Sequence, residues 1–183
     1  MIRVVLGAVA YDPKVVPIWD IARDHFASRG VNLEYALFSS YGFQTEAALK
    51  GHIDIAWNTN VAYIQTRYAA NGAAIALAMR DTDIGFTSKL IARATSGFKS
   101  LSDLNGKTVA LGSADSAQAK IMPLYYLQEA GVKFSPLLFD SDIGKHGDTG
   151  RSEYEALEAL RSGKADAAAV GSSTWARMQE SGV

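Results

Sequence analysis

The stretch Lys107-Thr-Val-Ala-Leu-Gly-Ser-Ala-Asp-Ser-Ala-Gln118 predicts a short buried strand, a small polar turn and the start of a helix that runs towards Gly131. The turn, residues 112–116, places hydroxyl groups and backbone N–H groups where the helix begins. Such a helix start attracts anions, because its first amides lack partners inside the helix and the helix dipole is positive there. The turn therefore either holds a ligand or caps its own helix.

The composition is that of a globular protein and excludes several classes of function. Of the 183 residues, 48% are hydrophobic and 20% are charged, and the net charge of -1 gives no electrostatic footprint for nucleic acid. Cysteine is absent, which excludes disulfides, thiolate metal sites and a cysteine nucleophile. The sequence shows neither a membrane span nor a signal peptide. We expect either a cytoplasmic protein or a mature periplasmic form with an added methionine.

Apolar and periodic segments alternate along the chain in a pattern that predicts strands and helices in turn. In the first half we predict strands over residues 2–10, 31–38, 53–57, 73–79 and 86–92, and helices after residue 13 and over residues 41–50 and 61–69. In the second half we predict strands over residues 108–111, 136–139 and 165–170, and helices over residues 116–130 and 152–161 and from residue 173. This alternation predicts an α/β fold with mainly parallel sheets covered by helices on both faces.

Two helices carry apolar stripes that predict which side chains face the core. In the first helix the stripe consists of Val15, Ile18, Trp19, Ala22 and Phe26. In the helix over residues 152–161, the inward side chains are predicted to be those of Tyr154, Leu157 and Leu160.

An internal repeat links the two halves. Residues 46–56, Glu-Ala-Ala-Leu-Lys-Gly-His-Ile-Asp-Ile-Ala, align without gaps on residues 158–168, Glu-Ala-Leu-Arg-Ser-Gly-Lys-Ala-Asp-Ala-Ala. In each copy a helix ends at a glycine C-cap, and an aspartate then opens a buried strand that runs into small polar residues. Either this is what any helix-glycine-strand unit looks like, or the chain has two lobes of one design. In the second case both strand ends face a shared cleft, since ligands bind at the carboxyl ends of strands in such sheets.

Three segments, residues 47–57, 100–112 (Ser-Leu-Ser-Asp-Leu-Asn-Gly-Lys-Thr-Val-Ala-Leu-Gly) and 159–170, resemble the periplasmic solute-binding proteins of ABC importers. The chain looks closest to the phosphate, phosphite and phosphonate-binding branch of the type 2, transferrin-like group. The resemblance implies two α/β lobes, here residues 1–86 and residues 87–183 with a crossing strand, that close on a ligand by a hinge motion. It implies a binding protein for ABC import or sensing, with no enzymatic activity and no cofactor.

The resemblance also implies the ligand contacts, position by position. They are Tyr11, Asn58, Thr59, Asn60, Thr87, Ser88, Ser113, Asp115, Ser116, Gln118 and His146. Phosphonate binders of this group present a run of serine and threonine at the corresponding helix start of the second lobe, here residues 113–118, followed later by a Ser-His pair. Here Ala114, Asp115 and Ala117 interrupt the run, and His146 is the candidate for the later partner.

Asp115 bears on the nature of the ligand. A carboxylate beside an anion costs energy where water is excluded, because like charges repel. Asp115 is therefore either a helix cap or the partner of an amino group on a zwitterionic ligand. An amine-bearing phosphonate or a small sulfonate fits such mixed partners better than plain phosphate does.

Proteins of this group continue past the strand at residues 165–170 and return to the first lobe, so the chain is predicted to be truncated. An uncovered sheet edge is an association site, and we therefore predict either a homodimer through an incomplete first-lobe sheet or an altered packing of the first lobe, besides an ABC permease as partner. Asp54 and Asp166 are predicted to cap or pair at strand starts rather than contact the ligand, and Trp19 to lie in the core. Trp57 either lines the ligand site or packs in the core. Arg151 either neutralises the ligand or stays solvated.

A metal site and an enzyme are the alternatives. The acidic stretch at residues 140–148 does not match an EF-hand loop, because Lys145 and Arg151 occupy the positions of its glycine and glutamate. We therefore predict no metal. A cytoplasmic enzyme on the same scaffold, of the menaquinone- or thiamin-precursor-synthesis kind, would need an acid or base in the cleft. His146 and Asp148 are the only plausible set for that chemistry.

Overall fold

The computed structural model describes residues 2–10, 13–139 and 151–182, and of Thr82 only the backbone. Strands and helices alternate through most of these residues. The strands are β1 (Ile2–Val9), β2 (Val31–Phe38), β3 (Ile55–Ala56), β4 (Ser88–Ala92), β5 (Thr108–Leu111), β6 (Ser135–Leu138) and β7 (Ala167–Gly171). The α-helices are α1 (Val15–Ala27), α2 (Tyr41–Leu49), α3 (Asn60–Ala69), α4 (Met122–Glu129), α5 (Arg151–Arg161) and α6 (Ser172–Glu180). No helix of the described residues is long and apolar enough to cross a membrane.

The chain divides into two compact units, Met1–Ala78 and Met79–Val183. The predicted lobe boundary between residues 86 and 87 stays a prediction.

Unit 1 contains a parallel sheet whose described strands have the order β2-β1-β3. β1 pairs with β2 over its whole length, from Ile2 opposite Val31 to Val9 opposite Phe38. The core lies between this sheet and α1 and consists of Leu6, Ala8, Val15, Trp19 and Leu33. Burying these apolar side chains stabilises the unit by about 25 cal/mol per Å² of surface removed from water.

Unit 2 contains a sheet of described strands in the order β4-β7-β5-β6, in which only β4 runs antiparallel to its neighbour. Side chains alternate between its two faces, as they must in a strand. Ala110, Ala168 and Val170 lie in one core with α5 and Met178 of α6, whereas Val109, Leu111, Ala167 and Ala169 lie in a second core with Leu127 of α4. Helices thus cover both faces, and the predicted α/β fold with a mainly parallel sheet in each unit is confirmed.

The internal repeat forms the same structure in both units. Gly51 and Gly163, the predicted C-cap glycines, have φ values of 70° and 78°, which a side chain would disfavour. The Asp54 backbone N–H donates to the Val5 carbonyl at 2.8 Å, and Asp54 Oδ2 accepts from the Val5 N–H at 2.8 Å. Asp166 makes the same pair of bonds to Thr108, at 2.8 and 2.9 Å. The prediction that both aspartates cap or pair at strand starts is confirmed, since each precedes its own strand and pairs with a residue of the neighbouring one.

The predicted strand over residues 73–79 is wrong. This segment has no regular secondary structure, and Ile75, Leu77 and Met79 are exposed. Their alternation gives a local preference for extended backbone, but a strand forms only where a neighbouring strand supplies hydrogen bonds. No described strand pairs with this segment.

The predicted inward faces of two helices are wrong in part. Ile18 and Phe26 of α1 and Tyr154 of α5 are exposed. In α5 the buried stripe includes Glu153, Leu157 and Leu160, which have the spacing i, i+4 and i+7. Tyr154 was predicted to face inward because it is apolar in character, and Glu153 was not because it is charged. In the structure Glu153 is buried and Tyr154 is exposed.

Candidate functional site

In unit 2, the polar turn after β5 is held in place by a glycine and a proline. A Cβ at Gly112 would lie 2.7 Å from Ala119 Cβ, so only glycine fits there. Pro123 has no N–H to offer the Ala119 carbonyl four residues earlier, and the Gly112 N–H donates to that carbonyl instead, at 3.0 Å. The predicted helix over residues 116–130 consequently has two parts, a π-helical turn over Ala117–Ile121 and then α4.

Three buried serines surround this turn. The Ser113 hydroxyl and backbone N–H both donate to Ser152 Oγ, at 3.0 and 3.2 Å. Ser116 Oγ caps the π-helical turn by accepting from the Ala119 N–H at 3.1 Å. Ser113, Ser116 and Ser152 are 0%, 1% and 5% exposed. These hydroxyls lie at the start of a helical segment, where hydrogen-bond donors suited to an oxyanion collect.

Gln118, in the π-helical turn, links that turn to α5 and to the start of β4. Its Nε2 donates to Glu153 Oε1 at 2.9 Å, and its backbone carbonyl accepts from Ser88 Oγ at 2.5 Å. Glu153 Oε2 accepts from the Gly171 N–H at 2.8 Å. Asp115 lies half-buried in the same turn.

The start of β4 meets the end of β7 at the same place. Ser88 pairs with Gly171 in the antiparallel ladder. The Thr87 N–H donates to Ser172 Oγ at 3.1 Å, and the Thr87 carbonyl accepts from the Ser172 N–H at 2.9 Å. A Cβ at Gly171 would lie 2.8 Å from Phe86 Cζ and 2.9 Å from Gln118 Cγ, so the strand end and the turn are closely packed.

The described residues of unit 2 therefore bring most of the predicted contacts together. These are Thr87, Ser88, Ser113, Asp115, Ser116 and Gln118. The sequence analysis missed Ser152 and Glu153, which complete the cluster from the first turn of α5. The available signal for Glu153 was its helical spacing of i, i+4 and i+7 with Leu157 and Leu160, which places it on the inward face.

In unit 1, the predicted contacts follow β3. Thr59 caps α3 by accepting from the Ala62 N–H at 3.3 Å, and Asn60 Oδ1 accepts from the Val61 N–H at 2.9 Å. Asn58 Nδ2 donates to Thr66 Oγ1 at 3.4 Å, while its buried Oδ1 has no hydrogen-bond partner among the described residues. Among the predicted ligand contacts in the described part of unit 1, Asn58 therefore has a buried hydrogen-bond acceptor that a ligand could use.

Gln44 is a buried polar residue of unit 1 that the sequence analysis missed. It is 0% exposed, and its Nε2 donates to the carbonyls of Gly7 and Trp57, at 2.6 and 3.1 Å. Within the described part of the chain its Oε1 accepts no hydrogen bond. Gln44 thus joins the backbone of β1, at Gly7, to the backbone that follows β3, at Trp57, next to Asn58.

Several further predictions have mixed outcomes. Tyr11 and His146 lie outside the described residues, as does the acidic stretch at residues 140–148. The described residues contain no cluster of acidic or histidine side chains that could hold a metal. Trp19 is buried as predicted and packs edge-on against Trp57, which is 42% exposed. Arg151 is exposed and pairs with Glu155 at 3.2 Å, which favours a solvated role.

Sequence comparison places this arrangement in a family. The profile of the family described as "ABC transporter, phosphonate, periplasmic substrate-binding protein" matches residues 12–183. The probable ABC transporter phosphite binding protein PhnD1 of Prochlorococcus marinus (strain MIT 9301) is 26% identical over 140 residues, or 73% of this chain and 43% of that protein. The chain thus spans less than half the length of this curated relative.

Solved structures share the fold at low sequence identity. PhnD1 of Prochlorococcus marinus in complex with methylphosphonate has a TM-score of 0.66 at 20% identity, over 97% of this chain and 66% of that chain. XAC2383 of Xanthomonas citri bound to chloride ion has a TM-score of 0.67 at 18% identity, over 97% of this chain and 67% of that chain. The periplasmic aliphatic sulphonate binding protein SsuA of Escherichia coli has a TM-score of 0.56 at 18% identity, over 98% and 58%.

The family resemblance seen in the sequence is thereby confirmed. The family consists of substrate-binding proteins, in agreement with the prediction of a binding protein, and it gives no support to the enzyme alternative. The match covers nearly the whole chain and both units. The chain belongs to the family of periplasmic substrate-binding proteins of phosphonate ABC transporters.

Proposed function

We propose that this chain captures a small anionic or zwitterionic phosphorus oxyanion, such as a phosphonate or phosphite, for an ABC importer. Family membership supports the role, and the names of its relatives support the ligand class: one is a probable phosphite binding protein, and its solved structure holds methylphosphonate. The corresponding location is the periplasm, with an ABC permease as partner.

One observation carries this proposal, the cluster of buried serine hydroxyls at the carboxyl end of β5. Ser113 and Ser116 are almost fully buried beside Ser152, although serine is usually an exposed residue. Among the described residues Ser113 donates to Ser152, whereas the Ser116 and Ser152 hydroxyls only accept, so their own hydrogens can serve a bound oxyanion. An oxyanion accepts hydrogen bonds from hydroxyl and backbone N–H groups, and these are the groups present.

The acceptor groups near the predicted contacts indicate a ligand that also donates hydrogen bonds. Asp115 contributes a carboxylate in unit 2, and Asn58 Oδ1 is an acceptor without a partner among the described residues of unit 1. A fully deprotonated dianion offers no proton to such groups. A singly protonated phosphonate or phosphite has one P–OH proton and so donates to one such acceptor, whereas an amine-bearing phosphonate can donate to several.

The proposed site predicts that Ser116→Ala and Asn58→Ala each weaken methylphosphonate binding by about 1–3 kcal/mol, because each leaves a buried ligand group without its hydrogen bond. Isothermal titration calorimetry with methylphosphonate, phosphite and phosphate measures this loss. Ser162→Ala is the control, since Ser162 is an exposed residue after α5 that bonds to the carbonyls of its own helix. Unchanged affinity in both site variants would contradict the site assignment.

We also propose a homodimer formed through unit 1. Its sheet leaves β2 and β3 as edges among the described strands, and the irregular segment after Ala73 exposes Ile75, Leu77 and Met79. Unpaired strands and exposed apolar side chains favour association. Multi-angle light scattering should give twice the chain mass, and Leu77→Lys should shift the protein to monomer. A wild-type monomer at high concentration would rule out the dimer.

A further inference from the structure

Glu153 is a buried carboxylate that joins three elements of unit 2. It lies in the first turn of α5 and is 1% exposed. Its Oε1 accepts from Gln118 Nε2 at 2.9 Å, and its Oε2 accepts from the Gly171 N–H at 2.8 Å. A helix start is a favourable place for negative charge, which reduces the cost of burying it. Glu153 therefore fastens the turn after β5 and the end of β7 to α5.

The carboxylate determines which way the Gln118 amide faces. Both carboxylate oxygens of Glu153 accept hydrogen bonds, Oε1 from Gln118 Nε2 and Oε2 from the Gly171 N–H, so Gln118 directs its NH₂ group to Glu153 and its Oε1 away from it. The rest of Gln118 is also fixed in place. Its Cγ packs directly on Gly171, and its backbone carbonyl accepts from Ser88 Oγ.

We propose that Glu153 is a positioning residue that makes Gln118 present its Oε1, an acceptor, to the bound solute and so determines specificity. The specificity part rests on the function proposed above. An acceptor at this position binds the P–OH group of a singly protonated phosphonate. A sulfonate carries no such proton, and its oxygens are repelled by the acceptor. The site therefore prefers methylphosphonate to methanesulfonate in mildly acidic buffer, where methylphosphonate keeps one proton.

Glu153→Gln tests this orientation with almost no change of shape. The backbone N–H of Gly171 can only donate, so the introduced amide oxygen stays with Gly171 and the introduced NH₂ faces Gln118. Gln118 must then turn its own amide over, or two NH₂ groups face each other. In the double variant Glu153→Gln with Gln118→Glu, a carboxylate again accepts from the facing NH₂, and its second oxygen restores the outward acceptor.

A double-mutant cycle on stability tests the hydrogen bonds without any ligand. Urea unfolding should show that each single variant raises the unfolding equilibrium constant about tenfold, since a bond to a buried charge is lost or two carboxylates meet. The double variant should return close to wild type. Glu158→Gln is the matched control, because Glu158 is on the exposed side of the same helix. If Glu153→Gln behaves like Glu158→Gln, or if the two effects simply add, Glu153 does not position Gln118.

The affinity ratio for methylphosphonate over methanesulfonate, measured by calorimetry, tests the specificity. A purely structural role for Glu153 would weaken both ligands alike and leave this ratio unchanged. We expect Glu153→Gln to lower the ratio about tenfold and the double variant to restore it. An unchanged ratio in Glu153→Gln overturns the specificity role. If the wild type binds neither probe, the proposed function fails, and the stability cycle alone decides whether Glu153 positions Gln118.

Discussion

Gly112 illustrates how one residue without a side chain shapes the site. It follows β5 directly, and its N–H donates to the carbonyl of Ala119 in the π-helical turn. The chain packs so closely there that an added Cβ would meet Ala119 Cβ at 2.7 Å and Ser152 Oγ at 3.1 Å. Ala119 is fully buried and its Cβ cannot rotate away, so the contact cannot be relieved by a change of rotamer.

Gly112→Ala is therefore expected to destabilise the protein by about 1–3 kcal/mol, the usual cost of overpacking a core. Because the added methyl group also presses on Ser152, methylphosphonate affinity should fall as well. Gly42→Ala is the matched control: its Cβ would meet only Ser40 Oγ, at 3.7 Å, and in α2 alanine should be neutral or stabilising. Urea unfolding and calorimetry measure both effects. Equal stability of the two variants would show that the turn can relax.

Among the elements, the short 3₁₀ turn over Leu101–Leu104 shows how charge holds a loop in place. Its Ser100 and Asp103 form a capping box. The pKa of Asp103 is lowered, first by the backbone N–H of Lys99, then by the N–H and hydroxyl of Ser100, all of which donate to its carboxylate. The turn delivers Leu104, which is buried, to the core under β5.

A lowered pKa means that the folded state binds the Asp103 proton less readily than the unfolded state does. The carboxylate therefore contributes stability above the ordinary pKa range of aspartic acid, and this contribution is lost as the pH falls through the folded-state pKa. Asp103→Asn should lower stability at neutral pH and leave less difference from wild type in acid. Urea unfolding across the acid range measures it. A constant difference at every pH would contradict the role of the charge.

The elements also show why sequence reasoning succeeded in some places and failed in others. The capping bonds of Asp54 and Asp166 could be predicted because the repeat gives two independent copies of one local pattern. The strand at residues 73–79 could not be judged from the sequence, because pairing depends on a neighbour elsewhere in the chain. The Ser152 and Glu153 contacts depend in the same way on packing α5 against β5 and β7: the helical spacing indicates that Glu153 faces inward, but it does not give the partners of either residue.

At the scale of the whole molecule, each unit has an apolar core of its own. The core of unit 1 is formed by residues between Leu6 and Leu33, and both cores of unit 2 by residues between Leu104 and Met178. The residues between these cores include the exposed irregular segment after Ala73 and a 3₁₀ turn over Asp81–Asp83. A chain with this organisation meets the physical definition of two domains joined by a linker.

Limited proteolysis should therefore cut the protein first in this segment. Chymotrypsin has exposed sites at Leu77 and Met79, and no described strand supplies this segment with the hydrogen-bonded ladder that protects a strand from a protease. Because chymotrypsin cuts after these residues, we expect two lasting fragments close to the two units, 1–77 with 78–183 or 1–79 with 80–183, identified by intact mass spectrometry. Leu77→Asp with Met79→Asp removes both sites and should slow this cleavage without changing later cuts. First cleavage within α1 or α5 would show instead that the cores are less stable than the segment that connects them.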